Sequence, residues 1–420
     1  MLKEWFYHTG KAIMSLSIRI FIRKIHFDGT ENFVKNKPVL IACNHPNSFL
    51  DGIVIEYFYH RKIYALTRGD VFANPIVNHI FRSARLLPIF RSTDASAAAA
   101  RAGNNKTFDE CNEIFKKNQS ILIFTEGIAK PEKDVRRLKK GTAAIAIDAL
   151  KRSDYTMDIN IVPAAINYQT FFRARRSIHV QFSKPIRMLD YVERAKENEQ
   201  QLTLDITNSL ETSFHNEIVK TIGDHEEERN FAHDMMVNDS FRPLAFKAKN
   251  LWKPSVAKFN AQESAYWQKV KEYKNAAESK GVSDANVANR SFDYLSIFIA
   301  ICTFGISFPV FILAYLIWQL NLKITLVKVK NAVFKDSFIL GIGMFLILFL
   351  TIGVVSYFFA TQQSFWPILF SIGALYGTVC WFNVLDDIPF LWKELKWLGL
   401  SEQDRLALTA QRQDIMKALY

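Results

Sequence analysis

Short apolar runs alternate with stretches of helical periodicity between Pro38 and about Ile186. Six of the runs have the length and composition of buried strands: Val39–Ala42, Ile63–Thr67, Leu86–Phe90, Ile121–Phe124, Asn160–Val162 and Ile178–Phe182. The segments with helical patterns between them are Phe72–Ala84, Lys106–Lys117 and Thr142–Lys151. This alternation predicts an α/β domain over residues 28–190, with a mixed sheet flanked by helices and functional residues at the strand ends.

Two long uncharged runs near the C-terminus change this picture. Tyr294–Leu320 holds 27 residues and Ser337–Leu385 holds 49, whereas a helix needs about 20 residues to cross the apolar core of a bilayer. Tryptophans at or near the expected ends of these runs are typical of membrane interfaces. The pattern predicts membrane segments over 294–320, 337–360 and 365–385, and the alternative for any one of them is a fully buried core helix.

Lysines between the first and second runs bear on the topology. By the positive-inside rule they should stay on the cytoplasmic side, and a conventional first span would place them outside; they are Lys323, Lys328, Lys330 and Lys335. Gly305 and Pro309 interrupt the first run at its middle. We therefore favour a re-entrant or interfacial helical hairpin over 294–320, with Thr361–Ser364 outside and the tail 391–420 inside.

The N-terminal segment 1–27 mixes apolar side chains with five basic ones, Lys3, Lys11, Arg19, Arg23 and Lys24. Its apolar core is too short and too interrupted for a secretory signal, so the pattern predicts a basic amphipathic helix in the membrane interface. The alternative is a first helix packed on its own domain. Residues 191–291 are mostly charged with helical periodicity and a break at Gly281, which predicts a helical extension between the α/β domain and the membrane segments.

Charge narrows the class of partner. Lysine and arginine outnumber aspartate and glutamate by 53 to 41, and the resulting net charge of +12 favours a phospholipid surface, phosphorylated metabolites or nucleic acid. The four cysteines, Cys43, Cys111, Cys302 and Cys380, lie far apart without a CxxC pair. This spacing argues against a disulfide framework and against a zinc knuckle.

The first candidate for chemistry follows the first predicted strand, where Asn44 and His45 precede Asp51. A histidine that leaves a strand end near a carboxylate is a common general base, because the imidazole takes a proton while the carboxylate orients the ring. The alternative is structural, since Ser48 and Asp51 also have the spacing of a capping box at a helix start.

The second candidate follows the strand Ile121–Phe124 and reads Phe124-Thr125-Glu126-Gly127-Ile128-Ala129-Lys130. It leads to a basic run before a predicted helix, Arg136-Arg137-Leu138-Lys139-Lys140-Gly141. Glycine lets a backbone approach a ligand closely, and cations at a helix start favour a phosphate. Arg91 adds a cation at another strand end, although solvated basic loops and surface arginines have the same composition.

In this order the segments resemble the glycerolipid acyltransferases, the family of glycerol-3-phosphate and 1-acyl-glycerol-3-phosphate acyltransferases. The first family motif is matched by Asn44, His45 and Asp51, the second by Arg91, the third by Phe124, Glu126, Gly127, Lys139, Lys140 and Gly141, and the fourth by Val162 and Pro163. The similarity covers roughly Lys24–Arg187. Each motif is weak alone, but four motifs in the family's order make a specific joint signal.

Two departures from the family pattern matter. Five residues separate His45 from Asp51, one more than in most members, which resembles the branch of fungal-type glycerol-3-phosphate/dihydroxyacetone-phosphate acyltransferases and their bacterial relatives. In the third motif Ala129 stands where the family has an arginine. The residues that would replace that arginine as point charges, without its bidentate fork, are Lys130, Arg136, Lys139 and Lys140.

The resemblance implies transfer of a fatty acyl group from acyl-CoA or acyl-carrier protein to glycerol-3-phosphate at the cytoplasmic face of a membrane, in phospholipid synthesis. The alternative acceptor is 1-acyl-glycerol-3-phosphate. The implied catalytic residues are His45 and Asp51; the implied phosphate-binding residues are Arg91, Glu126, Gly127, Lys130, Lys139 and Lys140; Asn44 and Pro163 support the site, Pro163 by shaping the acyl pocket. No cofactor and no metal are expected.

An alternative of another class is an inactive homologue that binds lipid or acts as a scaffold. A lipase-type hydrolase is not supported, since the sequence has no GxSxG elbow. Nucleic-acid binding, which the charge alone allows, is disfavoured by the predicted membrane segments and by the absence of a nucleic-acid-binding signature.

Overall fold

The structure, a computed structural model, describes residues 10–11, 14–15, 17–34, 36–58, 63–91, 96–241, 247–249, 252–361 and 366–420. The chain divides into two compact units. Unit 1 comprises the described residues within 1–11, 27–167 and 180–218, and unit 2 comprises those within 12–26, 168–179 and 219–420. Neither unit is one continuous stretch of sequence.

Nine strands of the described part of the chain form one sheet. They are β1 (Ile22–Asp28), β2 (Val39–Cys43), β3 (Ile63–Arg68), β4 (Leu86–Ile89), β5 (Ser120–Phe124), β6 (Asn160–Tyr168), β7 (Arg176–Phe182), β8 (Ile186–Arg187) and β9 (Lys247–Lys249). Their order is β4-β3-β5-β2-β6-β7-β1-β9, and β8 pairs with β6. β2 is parallel to β5 and β6, and β3 is parallel to β4 and β5, whereas β8 is antiparallel to β6. The predicted mixed sheet is therefore confirmed.

The central strands are buried along their whole length, which explains their uninterrupted apolar sequences. All five residues of β2 and all nine of β6 are buried. In the register of the parallel strands, Cys43 lies opposite Phe124 of β5 and Ala164 of β6. The residues that follow Cys43 and Phe124 therefore leave the sheet at the same edge.

The helices described in unit 1 are α1 (Ser48–Phe58), α2 (Pro75–Ser83), α3 (Ala97–Lys116), α4 (Gly141–Arg152), α5 (Val192–Glu197) and α6 (Glu199–Glu217). α6 places Leu202, Ile206, Leu210 and Phe214 in the same apolar cluster as Leu40 of β2. The predicted end of the α/β domain at residue 190 is therefore wrong. Unit 1 continues to Ile218 because α6 covers part of its apolar core.

The predicted amphipathic helix over 1–27 is wrong at its C-terminal end. The described residues between Gly10 and Phe21 are helical, but Ile22–Asp28 form β1. Four consecutive residues of this strand, from Lys24 to Phe27, are buried, so both of its faces are covered. A helix at a membrane interface needs only one apolar face, and this two-sided burial in the sheet favours the strand. Residues 1–9 lie outside the described residues.

The helices described in unit 2 are α7 (Glu226–Asp239), α8 (Val256–Asn260), α9 (Ser264–Ser279), α10 (Asp284–Val287), α11 (Tyr294–Cys302), α12 (Phe304–Lys328), α13 (Ala332–Thr361), α14 (Trp366–Gly399) and α15 (Glu402–Lys417). α7, α9 and α15 share an apolar core that includes Met236, Trp267, Leu408 and Ile415. The segment predicted as a tail thus contains a packed helix. The predicted break at Gly281 is confirmed, since α9 ends at Ser279 and Gly281 has a φ of +68°.

The two long uncharged runs form α11 to α14. Among the described residues, one helix, α12, is long and apolar enough to cross a membrane. The first run breaks at Thr303, between α11 and α12, whereas we predicted the break at Gly305 and Pro309. Pro309 lies inside α12, near its start, where a missing N–H removes one backbone hydrogen bond without ending the helix. α14 continues past the predicted end at Leu385, and residues 362–365 lie outside the described residues.

Candidate active site

The candidate site begins where β2 ends. Asn44 is buried, and its side chain binds the backbone of β6: Nδ2 donates to the Ile166 carbonyl oxygen at 3.1 Å, and Oδ1 accepts from the Ile166 N–H at 2.7 Å. A side-chain amide offers a donor and an acceptor as a peptide group does, so Asn44 extends the pairing of β2 with β6. This clamp fixes the point from which the chain turns to His45.

His45 and Asp51, predicted to act together, lie within hydrogen-bond distance. Nδ1 of His45 is 2.9 Å from Oδ2 of Asp51. The Asp51 side chain is fully buried, whereas the His45 side chain keeps 17% of its surface exposed. An ionised carboxylate can only accept hydrogen bonds, so Nδ1 carries the proton of the neutral ring and Nε2 keeps its lone pair. This pair can therefore accept a proton at Nε2 while the carboxylate stabilises the imidazolium.

Asp51 also satisfies a backbone donor, although its partner is Asn47 and not Ser48 of the predicted capping box. Asp51 lies in the first turn of α1, and its Oδ2 accepts a second hydrogen bond from the Asn47 N–H at 2.7 Å. Ser48, the first residue of α1, has a φ of +43°. This left-handed region is unfavourable for any residue other than glycine. The carboxylate thus stabilises a strained turn and orients the imidazole at the same time.

Phe124, which matches the third family motif but is not among the predicted site residues, forms one wall of the pair. Its ring stacks on the imidazole of His45, with the centroids 3.9 Å apart and the planes inclined by 11°. The parallel register that places Cys43 opposite Phe124 brings these two side chains together. The contact depends on the pairing of two strands that are far apart in the sequence, so only a prediction of that pairing could have found it.

Glu126 holds the backbone of His45. Its Oε2 accepts from the His45 N–H at 2.9 Å, and the same carboxylate forms an ion pair with Arg136. Arg136 in turn donates to the His45 carbonyl oxygen at 3.1 Å. Burial raises the pKa of Glu126, although Arg136 and the His45 N–H act in the opposite direction. The contacts of Glu126 are thus with the loop that carries His45.

Arg91 and Gly127 meet across the ends of two strands. Nη1 of Arg91 donates to the Gly127 carbonyl oxygen at 2.9 Å. Gly127 has a φ of +74°, and a Cβ there would lie 3.3 Å from Cγ of Lys139, so a larger residue would be strained in backbone and packing. The glycine thus allows the third-motif loop, Arg91 and Lys139 to approach one another.

The three predicted lysines are exposed around this loop. The backbone N–H of Lys130 donates to the His45 carbonyl oxygen at 3.0 Å, and its side chain pairs with Glu132. The N–H of Lys139 donates to the Thr125 carbonyl oxygen at 2.7 Å, and Lys140 immediately precedes α4. Lys139 and Lys140 therefore place positive charge at a helix N-terminus, where the helix dipole also favours an anion.

Pro163 lies in β6, one residue before the level at which the neighbouring strand β2 ends. It is buried in β6, opposite Ala42 of β2, and its carbonyl oxygen accepts from the Ser183 N–H at 3.0 Å. Its role in an acyl pocket stays a prediction. No group of three or more histidine, cysteine, aspartate and glutamate side chains in the described part of the chain is arranged to hold a metal ion.

Part of the chain is similar to known acyltransferases. Residues 24–167 match the family model described as Acyltransferase. The chain is 25% identical over 210 residues to the 1-acyl-sn-glycerol-3-phosphate acyltransferase of Borreliella burgdorferi, an alignment that covers 48% of this chain and 78% of that protein. It is also similar to the crystal structure of the 1-acyl-sn-glycerophosphate acyltransferase of Thermotoga maritima, with 17% identity, a TM-score of 0.33, and coverage of 49% of this chain and 79% of that one. These similarities over part of the chain support the glycerolipid acyltransferase family that the four ordered motifs predict.

Proposed function

We propose that this protein is a membrane-bound O-acyltransferase that moves a fatty acyl group from acyl-CoA or acyl-carrier protein to glycerol-3-phosphate. The observation that carries the proposal is the His45–Asp51 pair, whose imidazole side chain keeps 17% of its surface exposed, in a segment that matches the acyltransferase family model. The preference for glycerol-3-phosphate rests on the five residues between His45 and Asp51, which resemble one branch of the family.

In the proposed reaction, Nε2 of His45 takes the proton of the acceptor hydroxyl as its oxygen attacks the thioester carbonyl carbon. The new C–O bond forms, the tetrahedral intermediate collapses and the C–S bond breaks. The imidazolium then gives its proton to the departing thiolate, which leaves as a free thiol. Asp51 stabilises the imidazolium between the two transfers and fixes the tautomer in which Nε2 is the base.

The acceptor phosphate is proposed to bind beside the third-motif loop. Arg91, Lys130, Lys139 and Lys140 supply the positive charge, and Gly127 allows the close backbone approach. Glu126 contributes by positioning, because its carboxylate orients Arg136 and the backbone of His45. The family's arginine is replaced by Ala129, and we propose that the lysines supply its charge as point charges, without its bidentate hydrogen bonds.

Membrane attachment fits this chemistry, because an acyl chain must pass between the site and a bilayer. We propose that the protein is multi-pass and that catalysis takes place at the cytoplasmic face. Support comes from the two long uncharged runs, which form α11 to α14, and from the net charge of +12, which an anionic cytoplasmic leaflet attracts. A second candidate acceptor, 1-acyl-glycerol-3-phosphate, is favoured by the name of the Borreliella relative.

The test is to offer the purified protein both acceptors with a radiolabelled acyl thioester and to separate the products by chromatography. Thiol release with glycerol-3-phosphate and formation of 1-acyl-glycerol-3-phosphate are expected. Faster formation of phosphatidate from the 1-acyl acceptor would overturn the preferred substrate. Absence of transfer to either acceptor would favour the inactive scaffold.

His45→Ala should abolish transfer, and His79→Ala is the matched control, since His79 is an exposed histidine on α2. A folded, membrane-bound His45→Ala protein with an unchanged rate would refute the mechanism. Equal loss of rate in both variants would show that the effect is not specific to the site.

A further inference from the structure

Four arginines of unit 2, which we call the arginine cluster, bind aspartates of the apolar helices: Arg23, Arg175, Arg176 and Arg290. Nε of Arg175 donates to Oδ2 of Asp386 in α14 at 2.8 Å. Nη2 of Arg290 donates to Oδ1 of Asp387 at 2.6 Å, and Arg23 pairs with the same aspartate. These ion pairs fix residues 386–387 of α14 at the arginine cluster.

The N-terminal part of α13 is held at the same place. Arg176 pairs with Asp336, and both side chains are almost completely buried. Arg175 and Arg176 are consecutive residues, so Asp336 in α13 and Asp386 in α14 are bound by adjacent residues of the chain. A buried charge without its partner is costly, so these pairs fix the helices firmly.

The start of α11 also lies at this level. The N–H of Asp293, the N-cap of α11, donates to Oδ2 of Asp387 at 3.3 Å. One turn further on, the Ser296 hydroxyl accepts from Nδ2 of Asn383 at 2.9 Å. The segment between Asp293 and Asp336 therefore begins and ends at the arginine cluster.

From the arginine cluster, α11 runs antiparallel to α14. As the residue numbers rise along α11, those of their neighbours in α14 fall. Ser296 contacts Asn383. Thr303 lies next to Gly377, since a Cβ on Gly377 would be only 2.4 Å from the Thr303 hydroxyl. Ile306, just after the break, lies next to Gly373. Gly373 lies 13 residues before Asp386 in α14, so the chain has moved away from the arginine cluster by about 20 Å.

After the break, α12 returns toward the arginine cluster, because its neighbours in α14 now rise in number. Nε1 of Trp381 donates to the Ser307 hydroxyl at 3.1 Å. The rings of Phe311 and Phe382 are 5.3 Å apart, and those of Trp318 and Phe382 are 5.5 Å apart.

The last turns of α12 reach the start of α13. Nδ2 of Asn321 donates to the Ile339 carbonyl oxygen at 3.0 Å, close to the end of α13 that Asp336 fixes. α11 and α12 therefore form a helical hairpin whose two ends lie at the arginine cluster.

The break between the two helices is satisfied by local hydrogen bonds, as a polar backbone within hydrocarbon requires. The N–H of Thr303 donates to the Ile299 carbonyl oxygen at 2.9 Å, and the N–H of Ser307 donates to the Thr303 carbonyl oxygen at 2.8 Å. The hydroxyls of Thr303 and Ser307 are 2.9 Å apart. Gly377 lets α14 approach this point closely, as small residues do between membrane helices.

The outer surface of the hairpin is apolar. Side chains that are about half to two-thirds exposed are Phe298, Ile301, Phe304, Leu313 and Leu316, whereas Ser296, Ala300, Ser307 and Phe311 are buried. The residues of both groups contain no charge. Such a surface fits the acyl chains of lipids, and a depth of about 20 Å is less than the roughly 30 Å apolar core of a bilayer.

We infer that α11 and α12 form a re-entrant hairpin that enters and leaves the membrane on the side of the arginine cluster, and that α13 and α14 cross the bilayer. The length and composition of α12 alone would suit a span, but its contacts with α14 return it to the side from which α11 entered. The inference rests on the membrane attachment in the proposed function and does not depend on acyl transfer.

The test is the sidedness of single cysteines toward a membrane-impermeant maleimide, in sealed right-side-out and inverted vesicles. The starting protein carries Cys302→Ser, because Cys302 is exposed while Cys43, Cys111 and Cys380 are buried. Three single cysteines are then introduced separately into this protein. They are Ser291→Cys before α11, Lys330→Cys between α12 and α13, and Gln363→Cys between α13 and α14. Ser291 and Lys330 are exposed, so these changes leave the packing intact.

The expected result is that Cys at 291 and at 330 react in the same vesicles, and that Cys at 363 reacts in the vesicles of opposite orientation. Reaction of position 330 together with 363, and opposite to 291, would overturn the hairpin and make α11–α12 a conventional span. Recovery of the protein in the soluble fraction, with all three positions reactive, would instead refute the membrane attachment on which the proposed function rests. Acyl transfer measured on the same vesicles separates either failure from a failure of catalysis.

Discussion

Two histidines, one in each unit, stack on aromatic rings in nearly the same way. The imidazole of His45 lies 3.9 Å from the ring of Phe124 with an interplanar angle of 11°, and that of His179 lies 4.0 Å from the ring of Trp252 with an angle of 9°. Ring stacking therefore does not distinguish a candidate base from a core residue.

The difference lies in what surrounds each ring. His45 has Asp51 on Nδ1 and retains an exposed part, whereas His179 is 2% exposed and burial lowers its pKa well below the usual value, with neighbouring His26 as a smaller cause. Burial without a carboxylate keeps an imidazole neutral, and a carboxylate beside a partly open ring lets it take and give a proton. The comparison teaches that the partner on Nδ1 and the access to Nε2 define the site.

The largest expected effect comes from removing the partner of His45. Asp51→Asn should lower the initial rate of acyl transfer by roughly 10⁴-fold, because a neutral amide neither stabilises the imidazolium nor fixes the tautomer. The matched control is Asp109→Asn, since Asp109 is an exposed aspartate of α3. A rate for Asp51→Asn within tenfold of the unmodified protein, at the same thermal midpoint, would contradict the assignment of the pair.

A smaller effect is expected from the backbone support of His45. Glu126→Gln keeps the shape but removes the charge that pairs with Arg136, so the loop that carries His45 should shift. We expect a loss of about 10²-fold in transfer rate, which is typical of a misplacement of about 1 Å. Glu113→Gln, at an exposed glutamate of α3, is the control. If Glu126→Gln changed only the KM for the acceptor, Glu126 would act on the acceptor and would not position His45.

The smallest effect concerns His179, which should contribute to pH-dependent stability and not to catalysis. Because its pKa is lower in the folded protein, the unfolded chain binds more protons below about pH 6.5 and stability falls as the pH falls. Between pH 7.5 and 5.5 the cost is about 1.4 kcal/mol for one such histidine.

His179→Phe should preserve the stacking and remove this part of the pH dependence. The measurement is denaturant unfolding in detergent, followed by tryptophan fluorescence at both pH values, together with the acyl-transfer rate at neutral pH. An unchanged pH dependence of unfolding would argue against a neutral buried His179. A rate that fell as far as that of Asp51→Asn would remove the distinction between the two histidines.

The sequence predicts most of the sheet core because buried parallel strands have uninterrupted apolar runs. β2, β3 and β5 lie where the pattern places them, and the spacing of His45 and Asp51 indicates the pair that the structure brings together. The strand β1, which the sequence pattern assigns to a helix, is missed for a physical reason. β1 has charged residues among its apolar ones, and its identity as a strand depends on neighbours that are remote in sequence.

The partners within the site are harder to predict for the same reason. The Phe124–His45 stack and the Glu126–Arg136 pair depend on strand register and on how a loop returns to the sheet edge. Arg136 was considered for a direct contact with phosphate, yet its guanidinium lies against Glu126 and the His45 carbonyl group. Residue type and position in the sequence alone do not reveal which opposite charge a cation will find.

The ion pairs of the arginine cluster also imply an order of assembly. Arg176 precedes Asp336 by 160 residues, and Arg175 precedes Asp386 by 211. Both guanidinium groups are therefore synthesised long before the aspartates that bind them, and neither pair can form until the apolar helices have been made. Closure of these pairs is consequently a late step in biogenesis, and a chain that stopped before Asp336 would leave both arginines without these carboxylate partners.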